Sequence, residues 1–144
     1  MKRLLLKISL FALLLLPIGC TEDNRYAEEL SSRIEQSIPE RLDDFSRVMV
    51  IPRRGCIGAI GQAIHEFRYN QQDDILYIFT YIFDIKGLTD DLQDTALLDK
   101  SHVLIDRENQ FFLTGSIERN YPYCFDIVDG HLVNGKRFDL FDMP

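Results

Sequence analysis

The run Asp74-Ile75-Leu76-Tyr77-Ile78-Phe79-Thr80-Tyr81-Ile82-Phe83 constrains this chain more than any other stretch, because almost every position is apolar, aromatic or β-branched. A strand with one solvated face alternates apolar and polar side chains; a run without that alternation must be covered on both faces, as a central strand is in a parallel or mixed sheet. The flanking sequence supplies the covers. Tyr26, Leu30, Ile34 and Ile38 recur every four residues among Glu, Ser, Arg and Gln, which predicts an amphipathic helix ending near Pro39, with Leu42 and Phe45 extending its packing. Ile57, Ile60, Ala63, Ile64 and Phe67 fall at helical spacing and predict a second helix. A third is expected over Leu88–Leu98, with Thr89 as its N-cap ahead of Asp90 and Asp91.

Further strands are expected between and after these helices. Arg47-Val48-Met49-Val50-Ile51-Pro52 is a short β-rich run closed by proline, and His102-Val103-Leu104-Ile105-Asp106 is another. Tyr123-Cys124-Phe125-Asp126-Ile127-Val128 and His131-Leu132-Val133 flank Asp129-Gly130, a dipeptide suited to a two-residue hairpin turn. Phe111, Phe112, Leu113 and Ile117 are expected to pack, and the tail from Arg137 to Pro144, with Phe138, Leu140 and Phe141, to close the core. Strands alternating with helices imply parallel pairing through right-handed crossovers, and the hairpin adds antiparallel strands. The expected fold class is therefore α/β: a mixed central sheet with flanking helices and a C-terminal β-hairpin.

The two ends of the chain bear on location and partners. Lys2, Arg3 and Lys7 flank an apolar stretch from Ile8 to Ile18, about 11 residues long and too short to span a bilayer, which reads as an export signal. Leu16-Pro17-Ile18-Gly19-Cys20 resembles the lipobox of bacterial lipoproteins, with Pro17 departing from the leucine usual at that place. That resemblance implies a signal peptide over residues 1–19, lipid attachment at Cys20, a tether over 20–25 and a single domain over 26–144, on a protein anchored to a membrane of the bacterial cell envelope and periplasmic or surface-exposed. Several acyl chains on one cysteine hold a protein at a bilayer without a spanning helix. Without residues 1–19 the chain carries 13 Lys+Arg against 23 Asp+Glu, a net charge of −10, which argues against nucleic acid as a partner. His65, His102 and His131 lack ligand-like spacing, so no metal is expected, and no cofactor-binding motif is present.

The stretch Arg53-Arg54-Gly55-Cys56-Ile57-Gly58-Ala59 raises the chemical question. A sulfur at a helix N-terminus faces backbone N–H groups and the positive end of the helix dipole, which favour thiolate, and Arg53 and Arg54 are placed to add to that effect. The alternative is a small core residue, a role free cysteine also fills. A cysteine at the first strand-to-helix junction, Val48-Met49-Val50-Ile51 leading into it, and Tyr121-Pro122 opening the final hairpin together resemble the thioredoxin fold over about residues 45 to 141. The resemblance implies that Cys56 is the nucleophile, that Pro122 is a cis-proline facing it, and that Tyr121 and Pro122 contact an extended peptide or envelope protein. The CxxC motif of the family is here Cys56-Ile57-Gly58-Ala59, so the resolving cysteine is replaced by Ala59. Two functions follow: a binding or interaction module that has lost the reaction, or a monothiol thiol-disulfide oxidoreductase. Cys124 is either a second thiol for Cys56 or a core-filling residue.

Overall fold

The computed structural model describes residues 22–38, 42–112 and 120–138. The segment expected to be a signal peptide, Cys20, Leu113, Ile117, Leu140 and Phe141 lie outside these ranges. In chain order the elements are α1 (Glu22–Ser37), β1 (Arg47–Pro52), α2 (Ile57–Asn70), β2 (Ile75–Thr80), α3 (Ile85–Leu92), β3 (Val103–Ile105), β4 (Tyr123–Val128) and β5 (His131–Arg137), with 3-10 turns at Leu42–Asp44 and Thr95–Asp99. The sheet runs β3-β2-β1-β4-β5. β1, β2 and β3 are parallel, while β4 is antiparallel to both β1 and β5. The α/β class, the mixed sheet and the terminal hairpin thus match the expectation from sequence.

Alternation along β1 and β2 divides the core in two. Val48, Val50, Leu76 and Ile78 face Leu30 and Ile34 of α1, joined by Phe111 and Phe125. Met49, Ile51, Ile75, Tyr77 and Phe79 face Ile60, Ala63, Ile64 and Phe67 of α2 and Leu88 and Leu92 of α3. β2 is buried at all six positions, as its composition requires. The steps β1 to β2 and β2 to β3 move the same way along the sheet, so crossovers of one hand put α2 and α3 on the same face. α1 is left to cover the other. Phe111, which follows β3, is buried in the α1-side core, and β4 pairs on the far side of β1 from β2.

Three local expectations are corrected. α1 begins at Glu22, so residues 22–25 are helix rather than tether; apolar periodicity marks a buried face and is blind to a polar turn ahead of it. The helix expected over 88–98 is two pieces. Asp84, not Thr89, caps α3 by accepting from the Lys86 N–H at 3.0 Å, while the Thr89 hydroxyl donates to the Lys86 carbonyl within the helix. Gln93, at φ 57°, ends α3, and Asp94 starts a separate 3-10 turn by accepting from the Ala96 N–H at 2.9 Å. Short acidic side chains favour such caps over helix interiors. Finally, β2 stops at Thr80, because Tyr81 adopts a left-handed φ of 58° that no strand continues through. The Asp129-Gly130 turn is as expected, with φ of 52° and 73°, the pair of positive values that a type I′ hairpin turn needs.

Candidate functional site at the carboxyl end of the sheet

β1 ends at Pro52, and the chain turns through Arg53-Arg54-Gly55 into α2, whose N-cap is Cys56. The Arg53 N–H donates to the Thr80 carbonyl at 2.9 Å, carrying the β1–β2 ladder one step past the strand. The Cys56 N–H donates to the Asn120 carbonyl at 2.8 Å, and its own carbonyl accepts from Ile60. Gly55 lies against Asn120: its φ is +144°, and a Cβ there would sit 2.1 Å from the Asn120 oxygen. Only glycine tolerates both the dihedral and the approach. The β1–α2 turn is thereby fastened to the segment leading into β4, and Cys56, Asn120, Tyr121 and Pro122 are brought to one place. This place is where β1 is flanked by β2 on one side and β4 on the other, outside the carboxyl ends of the parallel strands, which is where ligand sites of open α/β sheets form.

Cys56 is half-buried, and its side chain makes no capping hydrogen bond. The arginines expected beside it are engaged elsewhere. Arg53 forms an ion pair with Asp91 on α3, and the Arg54 guanidinium lies over the Tyr81 ring, 6.0 Å from its centroid. The Tyr121–Pro122 peptide is trans, since the described residues contain no cis bond, and this corrects the assignment of Pro122 as a cis-proline. The chain passes from Pro122 straight into β4, with the Pro122 carbonyl accepting from the Phe138 N–H at 2.8 Å. No tight turn there demands the cis isomer, and trans is intrinsically preferred.

Cys124 is also half-buried and is not in a disulfide with Cys56. Register pairs it with Met49, three residues before the end of β1, about 10 Å along the strand, and Cys56 follows four residues beyond that end. Cys124 packs against the α2-side core with Met49 and Phe138. The two thiols therefore occupy different regions of the molecule.

Sequence reading missed the groups that surround the turn. Ile57 is 87% exposed and Phe83 is 71% exposed. Tyr81 stacks on Phe112 at 4.0 Å between centroids, nearly parallel, and meets Phe83 edge-on at 4.7 Å. A bulky residue at positive φ is a costly conformation, and here it turns the ring out of the strand onto Phe112. Read as part of one apolar run, Tyr81 and Phe83 gave no sign of leaving the core. Asp106, 4% exposed at the end of β3, accepts from the Thr80 hydroxyl at 2.6 Å and from the Gln110 and Phe111 N–H groups at 2.8 and 2.9 Å. That carboxylate fixes the loop leading to Phe112. The threonine interrupting an apolar run was the available signal for it.

Among the described residues no three or more His, Cys, Asp or Glu side chains gather as a metal-holding group, and no helix is long and apolar enough to cross a membrane. Comparison of the chain with protein-family models, with curated proteins and with solved structures gives no match.

Proposed function

We propose that the protein is a thioredoxin-like lipoprotein of the cell envelope, held at a membrane by acylation at Cys20, whose domain is a non-catalytic binding module for an extended polypeptide. The observation that carries this reading is the hydrogen bond from Cys56 to Asn120, which closes the β1–α2 turn onto the Tyr121–Pro122 segment at the carboxyl end of β1. An extended partner laid there meets backbone groups for pairing and the exposed Ile57 and Phe83 side chains for apolar contact. The crossover β1–α2–β2, the cysteine at its first junction and the β4–β5 hairpin support the thioredoxin-like part; the trans peptide at Pro122 departs from it.

The second reading, a monothiol oxidoreductase with Cys56 as nucleophile, rests on the half-exposed thiol at the start of α2. A thiolate attacking a substrate disulfide forms a mixed disulfide and expels one substrate thiolate; release needs a second thiol. Ala59 supplies none, Cys124 lies opposite Met49, and Arg53 is bound to Asp91, so turnover would require an external thiol. The module is the better supported of the two.

Two measurements divide these claims. Fractionation of cells carrying Cys20→Ser should move the protein from membrane to soluble fractions; unchanged membrane association and processing would remove the anchor. Pull-down of envelope polypeptides by the full chain should survive Cys56→Ala and fail with Tyr121→Ala. Capture that depends on Cys56 and is reversed by reductant would instead establish the oxidoreductase reading.

A further inference from the structure

A cavity of about 280 Å³ opens on the α2 side of the sheet, at the end of the strands opposite the Cys56 turn. Its apolar lining comes from Met49, Ile75 and Phe138, with Tyr77, Cys124 and Arg47 completing the wall. Asn70, at the last turn of α2, also lines it, and the 14 residues separating Asn70 from Cys56 correspond to about 21 Å of helix. The α2 end of the cavity is thus far from Cys56, while its other wall reaches the Tyr121–Pro122 segment, where the Phe138 N–H donates to the Pro122 carbonyl and the Arg137 guanidinium lies 4.9 Å over the Tyr121 ring.

Its polar groups point to one class of ligand. Tyr77 is 1% exposed, and its phenol oxygen accepts from the Gln72 N–H at 3.3 Å, which leaves the O–H as a donor. Burial, foremost, raises the phenol above its ordinary range, so it keeps its proton at neutral pH. Arg47, Lys136 and Arg137 face Glu66 and Asp126 around the opening. This local excess of one positive charge occurs on a chain whose net charge is −7. The two carboxylates take amide hydrogen bonds, Glu66 from Asn70 at 2.8 Å and Asp126 from Asn134 at 3.0 Å. Arg47 belongs to no ion pair among the described residues.

We propose that this cavity binds a small organic anion with an apolar body, its carboxylate held by Arg47 and the Tyr77 hydroxyl and its body resting on Met49, Ile75 and Phe138. The volume is at the lower limit of small-molecule sites, enough for a single ring or a branched aliphatic chain and too little for a nucleotide. A carboxylate accepts from guanidinium and phenol in charge-assisted hydrogen bonds, whereas an ammonium at that same position, between Arg47 and the Tyr77 hydroxyl, would meet a like charge and a donor.

The two thiols make the test internal to the full chain, since Cys124 lines the cavity and Cys56 is remote. Alkylation by neutral iodoacetamide would be followed at each site by peptide mass, with phenylacetate as the probe and phenethylamine as its cationic counterpart. Phenylacetate should slow labelling of Cys124 and leave Cys56 unchanged, and phenethylamine should slow neither. Arg47→Gln, at an exposed position where folding is not at stake, should raise the half-protecting concentration about tenfold, as expected for loss of a charge-assisted hydrogen bond. Saturation-transfer NMR of phenylacetate against both proteins reads binding directly, independent of how fast Cys124 labels. Equal slowing at both thiols, equal effects of the two probes, identical behaviour of Arg47→Gln, or no phenylacetate signal by NMR would each overturn the proposal. None of these outcomes touches the membrane-anchor or polypeptide-capture experiments.

Discussion

The buried polar residues of this protein divide by whether their partners are complete. Asp106 accepts three hydrogen bonds and is part of the architecture. His102, 4% exposed, is not so provided: its Nε2 has no partner, and its Nδ1 stands 3.6 Å from an Asp73 carboxylate that is itself in solvent. Its ring lies edge-on to Tyr77. Burial, the largest cause, lowers its pKa below the ordinary histidine value; Lys100 acts the same way and Asp73 opposes them. The unfolded chain then binds the proton more tightly than the native state, so falling pH draws the equilibrium toward unfolding. Native stability should be fully present above about pH 6.5, the unperturbed value, and be lost as pH falls toward the depressed one. Urea midpoints across that window should decline in the wild type and flatten in His102→Gln. A parallel decline in both proteins would assign the pH dependence to other groups.

Among the elements, α3 is the one whose existence rests on its ends. Eight residues are too few for a helix to persist on propensity alone, and α3 is held by the Asp84 cap, the left-handed stop at Gln93 and two buried leucines, Leu88 and Leu92. It also carries Asp91, the partner of Arg53, so its position sets where the β1–α2 turn is tied. Asp84→Ala should cost about 1 kcal/mol in equilibrium unfolding, while Asp84→Ser, which keeps a capping oxygen, should recover most of it. Equal losses in the two variants would show that Asp84 acts through its charge rather than as a cap. In the hairpin, turn chemistry and register agree at the tip, where Asp129-Gly130 closes the pair Val128 to His131 directly, and the register shifts farther along, between Cys124 and Asp126.

At the level of the whole molecule, stability depends on both faces of the sheet being covered, and α1 covers one of them. Leu30 and Ile34 are fully buried against strands β1, β2 and β4. Leu30→Ala should therefore destabilise the domain by about 3 kcal/mol, as for a core leucine, while Glu35→Ala on the exposed side should change it by no more than about 0.5 kcal/mol. A small effect of Leu30→Ala in denaturant titrations would mean that α1 is an appendage and the sheet is stable without it. Much of this architecture was legible in the residues themselves. β1 has the bounds its apolar run implied, α2 starts after Cys56 as expected, and Asp129-Gly130 turns the hairpin, because apolar period, proline and turn chemistry act over a few neighbouring residues. Sequence alone also determined that β2 would lie inside the sheet with both faces covered, since Ile75–Thr80 offers no alternating solvated face. The tertiary structure decided what depends on contacts between distant segments. β3 pairs beyond β2 while β4 crosses to the far side of β1, and no local pattern distinguishes those neighbours. Register sets Cys124 beside Met49 rather than Cys56, packing gives Arg53 to Asp91 in preference to the thiol, and the convergence of β1, β4 and the end of α2 leaves the cavity at Tyr77. Strand adjacency and side-chain pairing are fixed by which long-range contacts bury the most surface together, and that competition is settled only once the whole chain is folded.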